Sequence, residues 1–162
     1  MSLIDGSENC SCIEYMLCKL VVVTALSSSH FEESLEFFRF VYANFPATKV
    51  IVYDLGLTEN EVRRLQSYCN VLEVRKFEFA KYPPHTKDLM TYSWKPHIVY
   101  DVSKEYELFI YCDASCRITK AFIKHLPELH QYPLLPKVRG SYSILRTTHD
   151  GMLKYVRTSH PT

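Results

Sequence analysis

Apolar runs of strand length alternate with helical patterns along most of this chain. Leu20-Val-Val-Val-Thr24 predicts a first buried strand, and Ala25-Leu-Ser-Ser-Ser-His30 a polar loop after it. A helix follows from about His30 to Asn44, with Phe31, Leu35, Phe38 and Tyr42 near one face. Ser29 and Glu32 have capping-box spacing at its start, and Pro46 follows its end. Lys49-Val-Ile-Val-Tyr-Asp54 is a second strand. Thr58 and Glu61 form another capping box, opening a helix that runs to about Tyr68. Val71 to Phe77 is a third strand. Phe77 to Thr91 is irregular, because Pro83 and Pro84 interrupt any long helix. A helix from Tyr92 to about Ser103, with Pro96 in its first turn, leads to a fourth strand, Leu108 to Cys112. Beyond it the pattern predicts a helix from Thr119 to His130, a strand from Ser141 to Arg146 and a short helical end from Met152 to Val156. Residues 1–18 lack sustained periodicity and read as an irregular arm, leaving 19–162 as a single α/β domain. Alternating strands and helices with short loops predict a mostly parallel sheet with helices on both faces, a Rossmann-like architecture.

Such a sheet opens its ligand crevice at the C-terminal strand ends. Three of these ends carry polar groups: Thr24 and Ala25 with Ser27 to Ser29, Asp54, and Asp113 with Ser115. A carboxylate after the second strand can accept hydrogen bonds from a base or ribose. Asp113 and Ser115 offer hard oxygen ligands to a divalent cation, and a cation there neutralises a diphosphate. Lys95 can bring a point charge to the same edge from the preceding helix. Taken singly, each has a plainer reading. Asp113 and Asp54 also suit turns and helix caps, and Lys95 also suits a solvated surface.

Composition narrows the classes. The chain has 162 residues, sized for one domain, and is 47% hydrophobic and 14% aromatic with only four glycines, which argues against disorder. A formal charge of +1 gives no electrostatic case for nucleic acid. The longest apolar run, Leu20 to Leu26, falls far short of the roughly 18 to 20 residues of a membrane span. No charged n-region followed by an apolar h-region marks a secretory signal. The six cysteines, Cys10, Cys12, Cys18, Cys69, Cys112 and Cys116, lack the paired spacing of a zinc module and read as structural or disulfide residues. Neither a Gly-x-Gly-x-x-Gly turn nor a Gly-Lys-Ser/Thr phosphate loop is present, which disfavours nicotinamide, flavin and P-loop nucleotide sites of the usual kinds.

Several segments occur in an order that carries a resemblance: Val21-Val-Val-Thr24, Lys49-Val-Ile-Val-Tyr-Asp-Leu-Gly56, Lys76-Phe-Glu-Phe79 with Tyr82-Pro83, Trp94-Lys-Pro96 and Tyr111-Cys-Asp-Ala-Ser-Cys-Arg117. Over about residues 19–156 the chain resembles an uncharacterised domain family, expanded in nematodes. Members of that family are similar to nucleotide-diphospho-sugar transferases of the A-type glycosyltransferase fold. The resemblance implies a UDP-sugar-like donor and an acceptor of unknown kind. It implies Mn2+ or Mg2+ as a divalent cation cofactor, and the Golgi or secretory pathway for a full-length member. Donor-binding residues would be Thr24, Ala25, Ser27, Asp54, Lys95 and Asp113. Metal ligands would be Asp113 and Ser115, with His149 as the available late histidine.

The departures from that pattern are specific. Ser115 stands where the Asp-x-Asp motif has its second acid, and a neutral hydroxyl is a weaker cation ligand. A-type glycosyltransferases continue well beyond the motif, and little chain follows it here. The competing expectations are a donor-binding glycosyltransferase-like protein and an inactive family member serving as a binding module. A phosphohydrolase with Asp113 as nucleophile is a third, without a phosphate loop or a second catalytic acid to support it.

Overall fold

A computed structural model describes residues 12–68 and 72–130. The backbone forms α1 (Cys12–Lys19), β1 (Val21–Leu26), α2 (Phe31–Asn44), β2 (Lys49–Asp54), α3 (Glu59–Tyr68), β3 (Leu72–Lys76), α4 (Trp94–Glu105) and β4 (Phe109–Tyr111). Short 3-10 turns cover Ser28–His30, Phe79–Lys81, Pro84–Lys87 and Leu89–Thr91, and a longer 3-10 stretch covers Lys120–His130. The chain divides into two units at Pro127, and the fold described below belongs to the first. The strand expected at Ser141 to Arg146 and the helix at Met152 to Val156 lie outside the described residues.

The four strands form one sheet in the order β3-β2-β1-β4, and every pairing is parallel. β1 runs beside β2 along its full length, from Val21 opposite Lys49 to Leu26 opposite Asp54. Its pairing with β4 covers only Val21 to Val23, opposite Phe109 to Tyr111. The α/β, Rossmann-like architecture is therefore the observed one.

Crossover handedness explains how the helices are distributed. A strand–helix–strand connection between parallel neighbours is right-handed, so a step one way across the sheet places its helix on one face. The steps from β1 to β2 and from β2 to β3 go the same way, so α2 and α3 share a face. The connection from β3 to β4 passes back beyond β1, and its helix belongs on the other. The packing agrees. Val22, Leu26, Val50 and Val52 meet Phe31, Phe37, Phe38 and Val41 of α2 and Leu65 of α3. Val21, Val23, Ile51 and Tyr53 meet Trp94, Ile98 and Val102 of α4. Alternate residues of β1 and β2 feed opposite layers, as a period of two requires. Because both faces are covered there, the central strands β1 and β2 are apolar along most of their length, while the edge strand β3 alternates Leu72 and Val74 with Glu73 and Arg75.

Several local expectations change. Part of the arm expected to be irregular is helical: α1 occupies Cys12–Lys19, and Leu17 packs against the α2-side layer. The box expected at Ser29 and Glu32 does not form, because the chain enters α2 through the 3-10 turn. There His30 donates its N–H to the Ser27 carbonyl at 3.0 Å and becomes an N-cap with no side-chain cap bond. The Thr58–Glu61 box does form. The Thr58 N–H donates to Glu61 Oε2 at 2.7 Å, and the Glu61 N–H donates to Thr58 Oγ1 at 3.3 Å. α4 begins and ends two residues later than expected, with Pro96 in its first turn, where its missing N–H costs no helical bond. The segment from Lys120 to His130 is 3-10 and not α-helical.

Phe37 and Phe38 are fully buried and meet edge-on, with ring centroids 5.4 Å apart. Truncating Phe38 to alanine removes apolar contact and leaves a cavity. Phe38→Ala should lower the unfolding free energy by about 3–5 kcal/mol in urea titrations. Glu32→Ala breaks only an exposed pair with Arg64 at 3.1 Å and should stay within about 0.5 kcal/mol of the parent.

Candidate functional site

The strand order reverses direction between β1 and β4, and there the two strands part. The Cys112 N–H donates to the Val23 carbonyl at 2.9 Å. β1 then continues beside β2 to Leu26, while the chain after Cys112 turns back. That turn spans Asp113 to Cys116 and is closed by the Cys116 N–H donating to the Asp113 carbonyl at 2.9 Å. Asp is a favoured first residue of such a turn. In open α/β sheets this fork is where ligands lie.

Two side chains expected from sequence meet at the fork. Lys95, in the first turn of α4, donates to Asp113 Oδ1 at 2.7 Å. The Asp113 side chain is 52% exposed and the Lys95 side chain 27%. An ion pair this open contributes at most about 1 kcal/mol to stability. The Lys95 ammonium also lies 4.7 Å from the Tyr92 ring centre and 5.5 Å from that of Trp94, within range of a cation–π attraction. Tyr92 is held at φ 54, in the left-handed region, with its ring exposed beside the ammonium. A non-glycine residue there carries a conformational cost that the surrounding turn must hold in place.

The other expected residues are placed differently. Thr24 is fully buried, and its position in β1 sends its side chain into the α2-side layer with Val22 and Leu26, away from an open loop. Ala25 packs against the α4-side layer. Ser27 is half-buried, and its Oγ lies 2.9 Å from Ser29 Oγ. Asp54 is spent on its own turn, where Oδ1 accepts the N–H of Gly56 at 2.8 Å and of Leu57 at 2.6 Å. Gly56 sits at φ 132, a conformation that side chains rarely adopt. Asp54 also lines an open depression of about 520 Å³ with Arg63 and Lys76, one strand away from the fork. Ser115 is exposed on the turn, and His149 lies outside the described residues.

As a cation site, the turn offers one carboxylate and one hydroxyl, and Lys95 already neutralises the carboxylate. Among the described residues no three or more His, Cys, Asp or Glu side chains gather as a metal cluster. One carboxylate suffices for Mg2+ only when substrate phosphates complete the shell. The donor set therefore fits a cation in part, with a phosphate-bearing ligand present and Lys95 displaced from Asp113.

Three residues that sequence reasoning missed shape the turn. Arg117 pairs with Glu36 of α2 and donates to the Ser115 carbonyl at 2.9 Å and the Cys116 carbonyl at 3.2 Å, fastening the turn to that helix. The Tyr111 hydroxyl is buried without a hydrogen-bond partner among the described residues. Burial, with the Asp113 charge adding to it, holds that phenol protonated well above its ordinary range. The apolar strand pattern carries no signal for either feature.

The chain belongs to the family described as "Protein of unknown function (DUF1647)", whose model matches residues 3–100. The match spans β1 to β3 and the start of α4, including Lys95, and stops before Asp113. No curated protein and no solved structure matches the chain. No helix among the described residues is long and apolar enough to cross a membrane.

The two bonds to Asp54 make it a structural acid of the β2 turn. Asp54→Ala should lower unfolding stability by about 1 kcal/mol, while Asp54→Asn, which keeps an acceptor at that position, should lose less. Chemical denaturation of the two variants separates these outcomes.

Proposed function

We propose that this family member is a glycosyltransferase-like protein that binds a nucleotide-diphospho-sugar, of the UDP-sugar kind, across the fork between β1 and β4. The observation that carries the reading is the Lys95–Asp113 pair at the point where strand order reverses. A partly exposed ammonium and an open carboxylate stand together where α/β sheets take phosphate-bearing ligands. Lys95 would leave Asp113 for the diphosphate, whose greater negative charge attracts it more strongly. Asp113, with Ser115, would then be free to hold Mn2+ or Mg2+, which supplies further neutralisation of the leaving nucleotide diphosphate. Ser27 and the β1 end would border the nucleoside. Tyr92, exposed beside Lys95, offers a ring face to a base or sugar.

A second reading has its own support. Ser115 replaces an acid, and the remaining acid is neutralised as it stands, which favours a module that binds a donor without transferring its sugar. The acceptor is open in both readings.

Calorimetric titration with UDP and several UDP-sugars, with and without manganese, tests the proposal. The folded chain should bind UDP, and Lys95→Ala should weaken binding about tenfold, equivalent to about 1.4 kcal/mol. Asp113→Ala should remove any strengthening by manganese. Absence of binding by a chain shown to be folded would end the donor-site reading. Release of sugar from any UDP-sugar would end the binding-module reading.

A further inference from the structure

The turn after β4 carries a second chemistry, separate from the charge pair. Cys112 and Cys116 stand at its two ends. The first is tied to β1 through its N–H, and the second closes the turn onto the Asp113 carbonyl. In an extended strand, residues four apart would lie about 13 Å from one another. The reverse turn brings them together instead. Both side chains pack against the same α2-side layer, at the two ends of one closed turn. Neither is in a disulfide, and both are partly exposed. Arg117, pinned to Glu36, holds the far end of the turn.

Two free, partly exposed thiols held at the ends of one closed turn and against one layer supply what thiol–disulfide exchange uses: an attacking sulfur and a resolving sulfur. We propose that Cys112 and Cys116 form a thiol–disulfide exchange site whose co-reactant is a small disulfide of the glutathione class. Cys116, on the turn and not on the strand, attacks one sulfur of the oxidised co-reactant. Its thiol proton passes to the departing thiolate, so one molecule of reduced thiol leaves and Cys116 carries the other half as a mixed disulfide. The Cys112 sulfur then attacks the Cys116 sulfur, and its proton leaves with the second thiol. Two protein thiols are oxidised, one small disulfide is reduced to two thiols, and the atoms balance. The product bridges the two ends of the turn that bears Asp113 and Ser115, so the redox state of the pair fixes the backbone on which that acid sits.

This inference does not rest on the nucleotide reading and is measured separately from it. The full chain, folded and untreated with denaturant, is incubated with oxidised glutathione, alkylated and digested with trypsin. Cleavage after Lys104 and Arg117 yields one peptide containing Cys112 and Cys116 and no other cysteine. That peptide should lose two hydrogens and resist alkylation, and added dithiothreitol should reverse both changes. In Cys112→Ala the same peptide should accumulate a glutathione adduct on Cys116, because the resolving sulfur is gone. In Cys116→Ser it should remain largely unmodified, and that side chain is accessible enough for the substitution to be tolerated. A wild-type peptide that stays reduced, or that stops at a glutathione adduct, would overturn the proposal. So would faster modification of Cys112 than of Cys116.

Discussion

The reversal of strand order at β1 governs the rest of this molecule. Two right-handed crossovers in one direction commit α2 and α3 to one face, and the third must return past β1 and commit α4 to the other. With both faces covered, β1 and β2 are buried on two sides. That is why Val22, Val23, Val50, Ile51 and Val52 are all fully buried, with no solvated face between them. The same reversal prevents β4 from following β1 to its end. The strands must part somewhere, and the parting exposes backbone and side chains of two loops at once. A crevice at that edge follows from topology before any residue type is chosen.

Residue types then decide what each strand end does, and the three ends differ. After β2, Asp54 turns inward on its own loop and uses Oδ1 to satisfy two N–H groups. After β1, the serines bond among themselves and to the neighbouring turn, with the Ser28 hydroxyl donating to the Gly56 carbonyl at 3.0 Å and to Glu61 at 2.6 Å. Those groups knit the β1 and β2 loops together and are largely spent. After β4, the Asp113 carbonyl closes the turn while its carboxylate faces outward to Lys95. Only there does the local hydrogen bonding leave a charged side chain free of structural duty to the backbone.

Legibility in the sequence followed the range of the interaction. β2 and its bounds could be read directly, because six consecutive residues carry the pattern and Asp54 ends it. The Thr58–Glu61 box could be read because both partners lie within one turn of helix. The similar spacing at Ser29 and Glu32 misled, because a 3-10 entry displaced the cap to His30 and Ser29 found Ser27 instead. Local spacing cannot rank two alternatives of similar energy. Lys95 and Asp113 could each be named, and the parallel sheet made their meeting a reasonable expectation. The anchoring of the turn by Arg117 on Glu36 could not, since it joins residues far apart in sequence across a helix–loop contact. Thr24 was misplaced for a simpler reason. A threonine just before a serine-rich stretch reads as the last residue of its strand, yet β1 runs on to Leu26 and places Thr24 in the core.

Energetics separate the fork from the rest of the charged surface. Arg75 sits between Glu73 and Glu105, and Lys49 reaches both Glu73 and the Tyr106 hydroxyl at 2.9 Å. Those groups are interlocked across β2, β3 and α4, and hydrogen bonds to Glu105, Glu73 and Tyr53 outweigh burial to hold the Arg75 guanidinium charged. Removing one member leaves others uncompensated, so such a network resists exchange. Lys95 and Asp113 are a single pair with an open carboxylate, and their mutual attraction is screened by water on one side. A contact that adds little stability and is easily exchanged is poorly suited to hold the fold together. It is well suited to release its ammonium to an incoming anion, which makes this pair, and not the stronger network, the part of the edge where binding chemistry belongs.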